Sequence, residues 1–244
     1  MTEIAKVKFG VNAELPYAME EAVNRLRINV GFLGKDVRKI MFMSSEPNEG
    51  KSFVAMCLWK QMVQAGEKAI LLDADLRKSV MVETYDITRA DGKELQGTTQ
   101  YLSGEEDLEK FILHTEDYNG AILPNVDNIV NPSMLIESDR FRDMLDRLAE
   151  EYRYVFVDAP PLGLVSDGER IGSMCDGAIL TVRSGVTPRS LIRNSIKQLE
   201  RAGCPVLGIV LNRVDTQTNG YYKKYYYGRG YYYGSYYGSE YYSK

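Results

Sequence analysis

The chain has 244 residues, 44% hydrophobic and 26% charged, enough to bury one good core or two small ones. Lys and Arg number 30 against 34 Asp and Glu, and the net charge of −4 argues against a nucleic-acid partner. One histidine, His114, and three widely spaced cysteines, Cys57, Cys175 and Cys204, exclude Cys/His metal clusters and histidine-based nucleophile triads, which leaves these four residues to packing.

Residues 1–16 show little pattern, and M-T-E-I-A-K lacks the features of a signal peptide. With no apolar run of about 18 residues anywhere, a cytoplasmic protein is expected. After Pro16, apolar Met19, Val23, Leu26 and Val30 recur at helical spacing and predict an amphipathic helix ending near Gly31 or Gly34, with Glu21 and Arg27 on its polar side.

Residues 40–52 read I-M-F-M-S-S-E-P-N-E-G-K-S, an apolar strand, a turn-forming loop and a helix start. This is the order of a phosphate-binding loop. Backbone N–H groups of such a loop converge on one hollow, Lys51 can reach β- and γ-phosphates, and the Ser52 hydroxyl can ligate Mg²⁺. The candidate nucleotide-binding set is therefore Ser45, Pro47, Asn48, Glu49, Gly50, Lys51, Ser52 and Phe53. Ser45 stands where the motif's first glycine would be, and Asn48 tolerates the positive φ that the turn demands.

Residues 53–65 predict a helix stopped by Gly66, and residues 68–73 a continuously apolar strand, which suits a parallel sheet covered on both faces. That strand ends in Asp73-Ala74-Asp75-Leu76-Arg77, at the edge where open α/β sheets bind ligands. Residues 78–97 are expected as loop with a broken helix, 99–102 and 105–113 as short helices with His114 closing the second, 121–124 as a brief strand, and 135–152 as one helix. Tyr154-Val-Phe-Val-Asp158-Ala-Pro-Pro is a second buried strand ending in an acid, a Walker-B pattern. Strand 177–182, helix 189–202 and strand 205–211 complete the alternation, so the fold class is α/β, one doubly wound domain with a mostly parallel sheet between helices. Asn212 and Arg213 follow the last strand, where they suit adenine contact or ordinary loop polarity.

Beyond Asp215 the composition changes abruptly. Twelve of the chain's 18 tyrosines fall within 221–244: Tyr221, Tyr222, Tyr225, Tyr226, Tyr227, Tyr231, Tyr232, Tyr233, Tyr236, Tyr237, Tyr241 and Tyr242. Without an aliphatic residue to build a core, 217–244 is expected to be a disordered tail attached to a domain spanning 1–216. A phosphoacceptor, a sticky aromatic segment and an inert linker all suit that composition. If the last strand is parallel to the others, the tail leaves from the ligand-binding edge with a reach on the order of 90 Å at about 3.4 Å per residue.

S-S-E-P-N-E-G-K-S, L-L-D-A-D-L-R-K, V-F-V-D-A-P-P and the tyrosine clusters together resemble the bacterial protein-tyrosine kinases of capsule and exopolysaccharide synthesis, from about residue 15 onward. The resemblance implies a P-loop fold related to partition ATPases and a tyrosine kinase using ATP and Mg²⁺ that phosphorylates its own tail. Lys51 and Ser52 would serve the phosphates and Mg²⁺, Asp73 and Asp75 would form a second Walker motif, and Asp158 would complete the metal site. It also implies a homo-oligomer, a separate transmembrane adaptor recruiting the chain to the inner face of the membrane, a cognate tyrosine phosphatase and further protein substrates. The family's ring-forming E-x-x-R-x-x-R reads Glu21, Asn24, Arg27 here, without the middle arginine, and Ser79 replaces a common proline. A partition-type ATPase and a non-catalytic nucleotide-binding scaffold are the competing readings.

Tyrosine, with a pKa of about 10, arrives protonated, and a carboxylate in hydrogen-bond reach can take its proton. Asp73 is assigned that role, with Asp75 and Asp158 on the Mg²⁺ side. An isolated D-x-D serves equally well to cap the next helix.

Overall fold

The computed structural model describes residues 5–11, 15–104, 106–117 and 119–214. The tail expected at 217–244, with its twelve tyrosines, lies outside the described residues. In chain order the elements are β1 (Val7–Phe9), α1 (Tyr17–Gly31), β2 (Lys39–Ser44), α2 (Lys51–Gln64), β3 (Ala69–Asp73), α3 (Met81–Tyr85), β4 (Ile87–Arg89), α4 (Thr98–Ser103), β5 (Leu113–His114) and β6 (Gly120–Leu123). They continue with α5 (Ser133–Ile136), α6 (Asp139–Glu151), β7 (Tyr154–Asp158), α7 (Asp167–Gly172), β8 (Gly177–Arg183), α8 (Arg189–Arg201) and β9 (Val206–Asn212).

Seven strands form one sheet in the order β5-β6-β3-β7-β2-β8-β9. All neighbours are parallel except β5, which runs antiparallel to β6. Side chains alternate between the two faces of a strand, and each face has its own core. Met41, Ile70, Leu72, Val155 and Val157 point to the side covered by α4, α6, α7 and α8. Ile40, Phe42, Leu71, Tyr154 and Phe156 point to the side covered by α1 and α2. Continuous apolarity is what a strand buried on both faces requires, which is why β2, β3 and β7 are legible in the sequence.

The edges are less regular. Residues 5–9 carry more structure than their sequence suggests, because β1 pairs antiparallel with β4 and Ala5 is buried. The expected helix over 105–113 is instead a single 3-10 turn, Leu108–Lys110, started by the Asp107 carboxylate accepting from the Leu108 N–H at 2.9 Å. His114, expected to end a helix, sits in the edge strand β5 opposite Ala121, and its N–H donates to the Ala5 carbonyl. The helix expected over 135–152 is broken into α5 and α6. Ser138 makes the break: its Oγ accepts from the Phe141 N–H at 3.3 Å, a side-chain N-cap that starts a new helix.

No helix among the described residues is long and apolar enough to cross a membrane. The middle of the sheet is pinned by aromatic contacts, with Phe156 edge-on to Phe42 and stacked on Tyr154, both at 5.7 Å between centroids. Phe156→Ala removes this buried ring and is expected to cost about 3–5 kcal/mol, read as a lower urea midpoint at unchanged slope. A loss under about 1 kcal/mol would show that this face repacks.

Candidate active site

The loop between β2 and α2 is braced from several directions. Asn48 and Gly50 take positive φ, 62° and 96°, which closes the turn ahead of Lys51. At Gly50 glycine is required twice over, since a Cβ there would lie 2.1 Å from the Asn212 side-chain nitrogen. That nitrogen donates to the Glu49 carbonyl at 2.9 Å. Asn212, at the end of β9, therefore holds the phosphate loop. Glu49 is buried, with its carboxylate accepting from the Glu46 N–H at 2.9 Å, the Arg183 N–H at 3.3 Å and the Thr187 hydroxyl. Ser45 is hydrogen-bonded to Ser195 of α8 at 2.8 Å.

The carboxyl ends of β2, β3 and β7 meet at one point because these strands are neighbours and parallel, with Asp73 directly opposite Asp158 in register. The Lys51 ammonium donates to Asp75 at 3.3 Å, to Asp158 at 3.4 Å and to the Ser52 hydroxyl at 3.2 Å. Asp73 lies deeper and is fully buried. It accepts from the Asp75 N–H at 3.2 Å and from the Ser79 hydroxyl. Asp75 also accepts from the Lys78 N–H at 3.1 Å, which fixes the turn after β3. The structure thus gathers Lys51, Ser52, Asp73, Asp75 and Asp158 at the sheet edge, and sets Asn212 against the loop. Arg213 has left-handed backbone, φ 54°.

The electrostatics follow from burial. Asp73 is pushed up to about 8, first by desolvation and then by the Asp158 charge, against the pull of Ser79 and Lys51. Asp158 is also raised by burial, with Lys51 and Ser52 opposing. Burial lowers the proton affinity of Lys51, but Asp158, Asp75 and Asp73 together more than offset this and hold the ammonium above its ordinary range. Three acids face one ammonium, which bonds Asp75 and Asp158 and leaves deeper Asp73 holding its proton near neutral pH. Among the described residues no three Asp, Glu, His or Cys side chains form a ready-made metal cage. The Ser52 hydroxyl and one or two carboxylates instead suit a cation such as Mg²⁺, which takes its other oxygens from phosphates and water.

Several supporting residues carry no sequence motif. Ser79 and Thr98 hold β3 from beyond it, the second through its hydroxyl donating to the Asp73 carbonyl at 2.9 Å. Arg77 forks onto the buried Asp167 at 2.5 and 3.1 Å and also donates to the Val130 carbonyl at 2.7 Å. This clasp ties the turn carrying Asp75 to α7. On α1, the Asn24 side-chain oxygen accepts from Arg27 Nε at 3.2 Å and Nη2 at 2.9 Å, so the residue in the middle-arginine position pins Arg27 along the helix, with Glu21 half-buried one turn earlier. The thiols are inert by burial, Cys57 being pushed up to about 11 and Cys204 to about 12.

Tyrosine-protein kinase CpsD of Streptococcus agalactiae is 35% identical to this chain over 202 residues, covering 83% of this chain and 86% of that protein. The kinase domain of Escherichia coli tyrosine kinase ETK superposes with a TM-score of 0.70 at 28% identity, over 82% of this chain and 79% of that one. The septum site-determining protein MinD from Pyrococcus horikoshii, solved with Mg-ADP, superposes at 0.61 with 23% identity over 75% and 72%, which shows a shared fold. No family profile matches the chain.

Buried Asp73 makes a prediction for the protein kept free of nucleotide and metal by chelator. Its folded value of about 8 lies above its ordinary 3.8, so between these limits the folded state retains a proton that the unfolded chain has released. Wild-type stability conferred by this group is fully present below pH 4 and lost as pH rises through 8. Asp73→Asn removes that loss, so its thermal midpoint is expected to gain on wild type steadily from pH 5 to pH 8. A pH-independent difference would show that Asp73 is ionised throughout.

Proposed function

Because the chain belongs to the bacterial protein-tyrosine kinases of capsule and exopolysaccharide synthesis, we propose that it transfers the γ-phosphoryl group of ATP to the tyrosines of its own residues 221–244, and so regulates polysaccharide synthesis or export. The observation that carries this reading is the meeting of Lys51, Ser52, Asp75 and Asp158 at the phosphate loop, beside a buried acid pushed up to about 8.

On this reading 1–216 is the catalytic unit and 217–244 its acceptor. The loop from Ser45 to Phe53 holds the triphosphate with its backbone N–H groups, and Lys51 turns its ammonium to the β- and γ-phosphates. Ser52, Asp75 and Asp158 would hold Mg²⁺, which would supply positive charge to the phosphate oxygens. Asn212, besides its bond to the Glu49 carbonyl, and Arg213 would contact the base. The bond from the γ-phosphorus to the β,γ-bridging oxygen breaks, a bond to the tyrosine Oη forms, the phenolic proton passes to Asp73, and ADP leaves. A carboxylate whose proton affinity lies near neutral pH holds an abstracted proton better than an ordinary one. Asp73, which keeps its own proton near neutral pH in the metal-free protein, must first be ionised to act, as a divalent cation bound beside it would favour.

Family membership also supports a homo-oligomer using α1 around Glu21 and Arg27, and recruitment to the inner face of the membrane by a separate transmembrane adaptor. A cognate tyrosine phosphatase resets the tail, and other proteins serve as further substrates.

Intact mass after incubation with Mg-ATP tests the proposal. Wild type is expected to gain multiple phosphates, and a partition-type ATPase would release phosphate without gaining mass. Lys51→Met is expected to lose transfer by on the order of 10²-fold or more while keeping its fold. Asp73→Asn should bind nucleotide normally and fail to transfer, whereas Asp158→Asn should lose Mg²⁺-dependent nucleotide affinity. Retained phosphorylation in Lys51→Met contradicts the assignment, and equal affinity losses in the two acid variants contradict the division of roles.

A further inference from the structure

Four apolar side chains on the carboxyl edge of the sheet have no part in the phosphotransfer chemistry. Val130 is 94% exposed, Met134 83%, Leu164 65% and Val186 57%. They lie in the connections that follow β6, β7 and β8, which parallel pairing places on the same edge as the loop after β2. Hydrogen bonds tether each to the site. The Val130 carbonyl accepts from Arg77, and Met134 follows Ser133, whose hydroxyl Arg77 also reaches. Leu164 follows Gly163, whose N–H donates to the Ser45 carbonyl at 3.0 Å. Val186 precedes Thr187, which donates to Glu49. Scattered exposed apolar residues are ordinary. These four, by contrast, share the one sheet edge that carries the polar hollow.

The last described strand ends at Asn212, bonded to the phosphate loop, so the point at which the sequence beyond residue 214 is attached lies at this edge. That segment is long enough to extend on the order of 100 Å at about 3.4 Å per residue. Its tyrosines come in twos and threes, Tyr221-Tyr222, Tyr225-Tyr226-Tyr227 and Tyr231-Tyr232-Tyr233 among them, and it contains no aliphatic residue. A tyrosine ring offers a large apolar body with a polar tip. A cluster that delivers one ring's hydroxyl to the carboxylates would leave its neighbouring rings outside the hollow, at the edge that carries exposed Val130, Met134, Leu164 and Val186.

We infer that this rim is a docking surface for the rings flanking the acceptor tyrosine, so that the kinase recognises clustered tyrosines of the tail in preference to single ones. The inference rests on the proposed tail phosphorylation and adds its specificity determinant.

The test uses the full chain with Mg-ATP and synthetic peptides of residues 221–233 as added acceptors. Met134→Gln combined with Leu164→Gln changes two exposed, neutral positions, so the fold and nucleotide affinity should be retained. The peptide KM is expected to rise about tenfold with kcat within about twofold. In peptides keeping only Tyr226 as acceptor, phenylalanine at the other tyrosine positions should preserve KM, and serine should raise it about tenfold. Unchanged KM in the rim variant, or equal KM for the two peptides, overturns the inference while leaving the kinase reading intact. A rim variant that alters sedimentation at unchanged KM overturns it too, by making the rim a contact between copies. Absence of any phosphate on wild type and peptide overturns both readings together.

Discussion

The rest of the site depends on one arrangement, the Lys51 ammonium set among buried carboxylates contributed by two neighbouring strands. Asp73 and Asp158 face each other across the β3–β7 ladder, and Asp75 follows two residues after the first. Desolvation alone disfavours their charge, and their mutual repulsion adds to it. Lys51 offsets this through bonds of 3.3 and 3.4 Å, and removing one partner from such a group leaves an uncompensated buried charge. The sheet order makes the arrangement possible, because β7 lies between β2 and β3 and brings its terminal acid beside both the phosphate loop and the D-x-D turn.

The same constraint explains the bracing around the site. A loop that gathers its N–H groups toward an anion needs its own polar groups satisfied elsewhere, and Glu49 and Asn212 do this from inside the loop and from the edge strand β9. On the opposite side, Arg77 and Asp167 fasten the turn after β3 to α7, so the acids cannot drift apart without breaking a forked ion pair. Val130, Met134, Leu164 and Val186 stand exposed on the connections at this same edge.

The centre of the molecule was legible in the sequence for a physical reason. Strands buried on both faces must be apolar throughout, so β2, β3 and β7 stand out as runs, and an acid or a Gly-Lys-Ser at the end of such a run has few structural excuses. The periphery was not legible. Ser138 breaks a helix that hydrophobic periodicity alone would continue, because capping is decided by one hydroxyl. His114 and residues 7–9 belong to two- and three-residue edge pairings, too short for an alternating pattern. Ser79, Thr98 and Asp167 act across 6, 25 and 90 residues of sequence, and no local spacing announces them.

The central claim is that burial and a neighbouring acid keep Asp73 protonated near neutral pH in the metal-free protein, with Lys51 opposing. Carbon-13 NMR of the Asp73 side-chain carboxyl, followed against pH in chelator, tests it most directly. A transition centred near pH 8 is expected in wild type, moving higher in Lys51→Met, where the opposing ammonium is gone. A transition near pH 4 in both proteins would contradict it.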